Sequence, residues 1–412
     1  MAKWVTVVAA VGCGLFAACS PFGGGGFSCE RDEQCGAGKC TGGYCSFADS
    51  SCASGYRFGE AASTLSNTCV GDGSTTDASD VDAKVYLDGP TAGVTCFGTG
   101  FGKVCFADGD IPKDPVAITG PIDTDSSSLC STTVIGAPAV CVIAGTDVTT
   151  TGPIAVTGAK PLVVVATGTL TIDSLDLASH RDGRVGAAAV AADNVTLCDA
   201  GTQPENNGGG AGGSFGAVGG AGGKGNNHNG GVAGAIKPPT AIRGGCYGQD
   251  GKSGGVGAKG RGGGAVYLIA NTQIIVDGTI NASGAAGSGN AAMNGGKGGG
   301  GGGGSGGLIA FDAPIVTNNG MIFANGGGGG EGSSNNNNGA NGTEPTSTAA
   351  APASGTGGNN GGDGGAGGAT TGAGPGSNAS QDGGGGGGGA AGAIRLFQAT
   401  TITGNPVSPT AS

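Results

Sequence analysis

The sequence predicts an all-β protein: a right-handed parallel β-helix, or solenoid, with long glycine-rich inserts of polyglycine-II-like character and a small disulfide-rich module in front. Three observations lead to this prediction. Short runs rich in Val, Ile and Thr recur from about Val116 onward, with no 3.6-residue period between them. Gly occupies every third position in long stretches between these runs, and six Cys residues crowd into one segment near the start.

Composition narrows the function classes before any motif is considered. The chain has 412 residues, of which 99 are Gly and 17 are Pro, a share that without periodicity would indicate low complexity or disorder. Pro is too scarce for collagen. The net charge of −11 argues against a nucleic-acid partner, which needs a basic face, so we expect no nucleic-acid ligand.

Residues 1–19 have the pattern of an export signal. Lys3 precedes an apolar run that is short for a membrane span and ends in small residues. The LFAAC ending resembles a bacterial lipobox, which implies lipidation of Cys19 and membrane attachment through that lipid; cleavage by ordinary signal peptidase is the alternative. Ser20 follows, and by resemblance to sorting rules it favours the outer membrane or cell surface. Residues 20–28 read as a flexible tether.

Residues 29–70 form a Cys-rich module. An even number of Cys in an exported chain indicates disulfides, and six Cys allow 15 pairings among which the sequence does not choose. The spacing lacks a C-x-x-C pair, so we expect no metal site there. The module resembles Dickkopf-type cysteine-rich modules of bacterial surface lipoproteins, and residues 71–93 follow as an acidic linker. The six residues are Cys29, Cys35, Cys40, Cys45, Cys52 and Cys69.

Residues 94–412 are predicted to form the solenoid, because a repeat of 42 residues recurs in them. It aligns Ile269 with Phe311 and Ile274 with Val316, and an upstream copy begins at Pro161. A single copy cannot bury its apolar face, whereas stacked copies can. A jelly roll or sandwich built from hairpins is the alternative. Neighbouring Cys residues in this domain suggest three further disulfides: Cys96–Cys105, Cys130–Cys141 and Cys198–Cys246.

Three glycine-rich inserts interrupt the solenoid, at about 201–264, 284–306 and 325–391. In the first of them positions 245, 248, 251, 254, 257, 260 and 263 are all Gly. Three residues per turn is the polyproline-II period, and the inserts resemble the polyglycine-II sheaves of some antifreeze proteins and phage-tail tip adhesins. Disordered loops are the alternative, and the last insert is where we expect partial mobility.

Catalytic signatures are absent from the sequence, so we expect no catalytic residue, resident metal or cofactor. His180 and His228 are the only histidines, and neither lies in a nucleophile or zinc motif. A carbohydrate-active β-helix enzyme would need clustered carboxylates. Asp173, Asp277 and Asp312 near the ends of the repeats are the candidates for such a cluster.

As a whole the chain resembles glycine-rich bacterial surface lipoproteins that join a Dickkopf-like module to a β-helix-like body. The resemblance implies an exported, non-enzymatic, structural or adhesive surface protein, with polysaccharide or a surface protein as candidate partners. Two alternatives stay open: a lyase or hydrolase acting on carbohydrate, and a protein-binding role of the Cys-rich module.

Overall fold

The computed structural model describes residues 29, 32–41, 44–52, 54–59, 62, 68–70, 93–136, 139–192, 194–292, 296–348, 355–356 and 360–412. Cys19, the tether and nearly all of the predicted linker lie outside these residues. The chain divides into two units, Met1–Lys84 and Val85–Ser412. Within the described residues it is built from strands, with a short 3-10 helix at Asp32–Cys35 and no α-helix.

The first unit is a small antiparallel sheet fastened by disulfides. Its strands are β1 (Lys39–Thr41), β2 (Tyr44–Ala48) and β3 (Tyr56–Phe58), in the order β1-β2-β3. So small a unit cannot bury enough apolar surface to fold without covalent staples. Of the 15 pairings that the sequence left open, the structure contains the one with Cys29–Cys40, Cys35–Cys45 and Cys52–Cys69.

Short strands, several of them only two or three residues long, make up the second unit. Their bounds are β4 (Val94–Phe97), β5 (Val104–Ala107), β6 (Val116–Ile118), β7 (Ile122–Asp123), β8 (Val134–Ile135), β9 (Cys141–Gly145), β10 (Val148–Thr150), β11 (Ile154–Thr157), β12 (Leu162–Ala166), β13 (Thr169–Asp176), β14 (Ala265–Ala270), β15 (Gln273–Asn281), β16 (Leu308–Asp312), β17 (Val316–Asn318), β18 (Met321–Phe323), β19 (Ala393–Leu396), β20 (Thr403–Gly404) and β21 (Val407–Ser408).

Two of the three sheets in this unit are parallel throughout. The five-stranded sheet has the order β19-β16-β14-β12-β9. The ten-stranded sheet follows the path β20-β17-β15-β13-β10-β6, with β11, β7, β18 and β21 paired beside it. The third sheet, β4-β5-β8, is antiparallel. The all-β prediction, the parallel sheets and the disulfide-rich N-terminal region are therefore confirmed, whereas repeated hairpins would have paired antiparallel.

The repeat period predicts part of the strand register and misses part of it. Ile274 pairs with Val316, as the period requires. Ile269, however, pairs with Asp312 rather than Phe311, so the alignment of the preceding strands was wrong by one residue. Between these two pairs the chain advances five positions from Ile269 to Ile274 but four positions from Asp312 to Val316, so the offset between paired residues falls from 43 to 42. This change of register places the carboxylate residue Asp312 opposite Ile269 within the five-stranded sheet.

Apolar side chains cover both faces of the five-stranded sheet. One face packs against the ten-stranded sheet through alternate residues such as Leu162, Val164, Leu268 and Phe311. The intervening residues pack on the other face against Phe97, Val104 and Phe106 of the antiparallel sheet. Since every residue of β12 and β14 is buried, these strands read as continuous apolar runs, as is typical of parallel sheets. The sheets thereby form a rigid base for the glycine-rich segments.

Candidate functional site

The amide groups of residues 298–307 point in turn to three neighbouring segments. Gly300, Gly303 and Gly306 donate hydrogen bonds to the carbonyls of Gly384, Gly387 and Ala390, each at 2.9 Å. The residues one place earlier donate to segment 246–252, and those one place later donate to segment 282–288. A three-residue period in the sequence therefore corresponds to three directions of hydrogen bonding.

The carbonyl groups of the same residues accept from three other segments. Gly210 and Gly213 donate to the carbonyls of Gly300 and Gly303, both at 2.9 Å. Segment 257–263 donates to the carbonyls of Gly302 and Ser305, and segment 327–333 donates to those of Gly298, Gly301 and Gly304. Residues 298–307 thus have six hydrogen-bonded neighbours, and we call the seven segments together the glycine array. They are 208–213, 246–252, 257–263, 282–288, 298–307, 327–333 and 384–390.

Glycine is required in this array because the backbones touch. A Cβ atom on Gly302 would lie 2.0 Å from the carbonyl oxygen of Ala211, and one on Gly303 would lie 2.0 Å from that of Gly327. Real side chains do not approach so closely, so a side chain here would force segments apart. Backbone hydrogen bonds therefore hold the segments of the array together.

One end of the array continues into the five-stranded sheet. Segments 257–264, 298–307 and 383–392 lead directly into β14, β16 and β19. The chain reverses at the opposite end in polar turns, which we call the Asn-rich end. Its turns comprise residues 205–207, 226–229, 252–254, 335–338 and 378–381.

Hydrogen bonds hold these turns side by side. The backbone N–H of Asn207 donates to Ser253 Oγ at 3.2 Å, and that of Asn226 donates to the Ala379 carbonyl at 3.1 Å. Lys297 Nζ donates to the Gln381 carbonyl at 2.7 Å. The turn at 205–207 is therefore joined to the turn at 252–254, and the turn at 226–229 is joined to the turn at 378–381.

Asparagine suits these turns because of the backbone conformation. Asn226, Asn227 and Asn335 have φ values of 46°, 65° and 45°, in the left-handed region. Asn enters that region more readily than most residues other than Gly. The side chains of all three are exposed, so their amides face solvent. The surface presents neutral groups that both donate and accept hydrogen bonds.

Charged groups at the Asn-rich end are engaged in local contacts. Glu205 Oε2 accepts a hydrogen bond from the backbone N–H of Asn229 at 2.8 Å, and this bond holds the pKa of Glu205 below its usual range. Lys297 Nζ lies 3.3 Å from Asp382 Oδ1. These contacts fix the turns, while the side chain of Lys252 in the turn at 252–254 is exposed.

The carboxylates considered for a catalytic cluster do not converge. Asp312 lies in the five-stranded sheet and is fully buried, whereas Asp173 and Asp277 are exposed on the ten-stranded sheet. Asp173 Oδ2 accepts from the Gly152 N–H at 2.7 Å, and Asp277 Oδ1 accepts from Asn319 Nδ2 at 2.9 Å. Each carboxylate therefore serves a neighbouring turn or loop.

Asp312 is the acceptor for several donors at once. It receives hydrogen bonds from the Thr99 backbone and hydroxyl, the Gly100 N–H, the Tyr267 hydroxyl and Gln398 Nε2. Burial alone would raise the pKa of Asp312, but the bonds from Tyr267, Thr99 and Gln398 outweigh it and lower the pKa. Asp312 is thus a structural anion beneath the β4–β5 loop.

The two histidines occupy different environments. His228 lies exposed at the Asn-rich end, with Nδ1 3.9 Å from Glu205 Oε2. His180 Nδ1 lies 2.8 Å from Glu344 Oε2, and its Nε2 lies 3.7 Å from Asp176 Oδ2. The carboxylates of Asp176 and Glu344 raise the pKa of His180 to about 9. His180 therefore carries a positive charge at neutral pH and fastens the last insert to the turn after β13.

All three disulfides that residue spacing suggested for the second unit are present. They are Cys96–Cys105, Cys130–Cys141 and Cys198–Cys246. A small cleft lies beside the last of them, where Lys259 pairs with Asp250 at 3.2 Å and Asp199 accepts from the Gly201 and Ala235 N–H groups. The carboxylates in this cleft are engaged locally, so it offers no evident reactive group.

Sequence reasoning missed the Asn-rich end. Asn pairs and runs interrupt the glycine period at 206–207, 226–227 and 335–338, and this was the available signal. From the sequence, these residues contributed only to the expected partial mobility of the last insert. The adjacency of the turns depends on how the segments pack, and the sequence does not contain that order.

No helix in the described part of the chain has the length and apolar character needed to cross a bilayer. Comparisons of the chain with protein-family models, with curated proteins and with solved structures find no match.

Proposed function

We propose that the chain is a non-enzymatic surface lipoprotein, structural or adhesive, which presents the Asn-rich end to polysaccharide. One observation carries the proposal: residues 298–307 are hydrogen-bonded to six neighbouring segments. An assembly of this kind fixes the turns at its tip without a large side-chain core. Binding then costs little further ordering, and preorganised surfaces gain affinity for that reason.

We infer that the body combines a right-handed parallel β-helix with a polyglycine-II lattice. Alternate strands along the chain, such as β12 with β14 and β13 with β15, pair in parallel with recurring offsets, which favours stacked coils. At the 3.1 Å rise of a three-residue helix, a ten-residue segment would extend about 30 Å from the sheets. The Asn-rich end would then lie well away from the apolar base.

Polysaccharide suits this surface because both partners are rich in hydrogen-bonding groups. Each exposed amide of Asn226, Asn227 and Asn335 offers two donors and one carbonyl acceptor. Sugar hydroxyls match that combination, and their spacing along a polymer allows several turns to be engaged at once. Multiple weak contacts in one molecule raise the overall affinity.

The binding test uses a glycan array and the purified chain. Replacing Asn226, Asn227 and Asn335 together by Gly removes three amides while keeping residues that tolerate positive φ. Asn271→Gly, at an exposed turn between β14 and β15, is the matched control. We expect the triple variant to lose at least about tenfold in affinity and the control to keep it. Absence of any glycan ligand, or equal binding by the triple variant, would overturn the proposal.

Attachment to the membrane is proposed through lipid on Cys19. The LFAAC pattern supports it, and six disulfides are compatible with an oxidising compartment. Metabolic labelling with radioactive palmitate should mark the native chain and the Cys13→Ala variant, and should not mark Cys19→Ala. Labelling of Cys19→Ala would refute lipidation at this position.

A protein-binding role of the first unit is a second candidate, because that unit exposes an aromatic ring. Phe47 is 43% exposed, and its ring lies so close to Gly38 and Gly59 that a Cβ on either would meet ring carbons at 3.0 Å or less. Rigid aromatic side chains often act as interface anchors. Cross-linking on intact cells should capture a protein with the native chain and lose it with Phe47→Ala; equal capture would exclude this role.

A further inference from the structure

Arg243 is a buried cation without a carboxylate partner. It is 7% exposed, and none of the ion pairs in the described part of the chain includes it. Its guanidinium donates to the backbone carbonyls of Gly244 and Lys237 and lies over the Phe215 ring, 4.6 Å from the ring centroid. Burial lowers the pKa of Arg243, but an arginine side chain stays protonated in proteins.

The same guanidinium contacts a sulfur atom. Arg243 Nη1 donates to Cys246 Sγ at 3.9 Å, and Cys246 is bonded to Cys198. A neighbouring cation lowers the pKa of a cysteine thiol from about 8.5 into the range of about 3.5–7.5, because it stabilises the thiolate. Arg243 is therefore placed to stabilise the negative charge that the Cys246 sulfur acquires when the disulfide opens.

The two cysteines of this disulfide differ in exposure. Cys246 is 4% exposed, whereas Cys198 is half-buried and lines the small cleft together with Val195 and Gln203. The carboxylates of the cleft are engaged, which leaves Cys198 as the electrophile that a reagent in the cleft would reach. Thiol–disulfide exchange is faster when the attacked sulfur is accessible and when the leaving thiol has a low pKa. Both conditions favour attack at Cys198 with Cys246 as the leaving group.

We propose that Cys198–Cys246 is a redox site, opened by a dithiol of the thioredoxin class that attacks Cys198. One sulfur of the dithiol, as a thiolate, bonds to the Cys198 sulfur, and the bond to Cys246 breaks with its electron pair on Cys246. The second sulfur of the dithiol then attacks the first and releases Cys198 as a thiolate. Two electrons pass to the chain, the two protons of the dithiol end on Cys198 and Cys246, and the dithiol becomes a disulfide.

Opening the site would change the restraint on the Asn-rich end. Cys198 and Cys246 are 48 residues apart in the sequence, and the turns at 205–207 and 226–229 lie between them. A crosslink restricts the conformations of the loop that it closes. Reduction would therefore remove the covalent crosslink around two of the turns of the Asn-rich end.

The test follows each disulfide of the full chain during reduction by thioredoxin, with alkylation and mass spectrometry as the readout. Exposure alone favours Cys96–Cys105, because Cys96 is exposed. We expect Cys198–Cys246 to open at least about fivefold faster than Cys96–Cys105. Arg243→Gln should slow the opening of Cys198–Cys246 by at least about fivefold, because the leaving thiolate loses its cation. Arg261→Gln, in the same insert, is the matched control and should leave the rate unchanged.

A merely structural Arg243 predicts a change of the opposite sign, since loss of its contacts would loosen the chain around the disulfide and speed reduction. Faster or unchanged opening in Arg243→Gln would overturn the proposal, as would opening of Cys96–Cys105 before Cys198–Cys246 in the native chain.

The direction of attack is tested on the native chain. A thioredoxin whose second active-site cysteine is replaced by Ser traps the mixed disulfide, because it lacks the sulfur that would resolve it. Peptide mapping should find the trapped thioredoxin on Cys198. A trap on Cys246 would contradict the assigned roles of the two sulfurs and overturn the proposal.

Discussion

The hydroxyl of Thr99 donates a hydrogen bond to Oδ1 of Asp312 at 3.0 Å, although 213 residues separate the two in the sequence. The contact fastens the β4–β5 loop to the five-stranded sheet. The carboxylate is fully buried, and the donors around it compensate for its removal from water. One anion thus joins two sheets of the second unit.

Replacing Asp312 by Ala should destabilise the second unit by on the order of 3 kcal/mol, because several buried donors would lose their acceptor. Urea unfolding followed by fluorescence measures the change. Asp312→Asn keeps the shape and removes the charge. Because the native pKa of Asp312 is lowered, its contribution is present above the unfolded pKa of about 3.9 and disappears as the pH falls through the native value. The Asn variant should lack this acid-dependent loss; wild-type stability in both variants would contradict the assignment.

Gly302→Ala should loosen the glycine array, since its Cβ would lie 2.0 Å from the Ala211 carbonyl oxygen. Overpacking of this kind costs about 1–3 kcal/mol. Gly372→Ala is the control, because nothing lies within 4 Å of a Cβ at that position. Hydrogen exchange of backbone amides in segments 246–252 and 384–390 should speed up in the first variant alone. Identical exchange in the two variants would argue against close backbone packing.

The sequence contained the local part of this fold and lacked the long-range part. The glycine period of three was visible in the sequence, and it corresponds to the hydrogen bonds of the array because every third residue faces the same neighbouring segment. Near pairs such as Cys130 and Cys141 were predictable from proximity. The environment of Asp312 was not, because a one-residue difference between turns moves it into register with Ile269 and its partners come from distant segments. Predicting the Asn-rich end would have required knowing how several inserts pack beside one another.

Removal of the Cys198–Cys246 disulfide should cost more than removal of Cys96–Cys105. The sequence separations are 48 and 9 residues, and loop-closure entropy predicts losses of about 4 and about 2.6 kcal/mol respectively. Paired Cys→Ser variants unfolded in guanidinium chloride measure both. The longer loop encloses residues 201–245 of the first glycine insert, so the hydrogen-exchange protection of these residues should fall as well. A larger loss for Cys96→Ser/Cys105→Ser would show that native-state strain, rather than chain entropy, decides.

His180 should make the stability of the protein fall at alkaline pH. Its pKa is raised from 6.5 to about 9 by Asp176 and Glu344, so its contribution to stability is complete below pH 6.5 and is lost as the pH rises through about 9. Arg184 also faces this cluster, bonded to Asp176, and Arg181 bonds to Glu344 through its backbone N–H. The side chains are partly exposed, so solvent screening limits the effect to about 1 kcal/mol.

Thermal unfolding of the native chain should therefore occur at a lower temperature at pH 10 than at pH 7. His180→Gln should remove most of this difference, because the variant lacks the group whose pKa differs between the folded and the unfolded chain. Glu344→Gln should shrink it by lowering the native pKa of His180 toward 6.5. His228→Gln, at the exposed Asn-rich end, is the control and should behave like the native chain. If the unfolding temperature of His180→Gln still falls as much between pH 7 and pH 10, other groups cause the pH dependence. His180 would then not be the residue that holds the last insert in place.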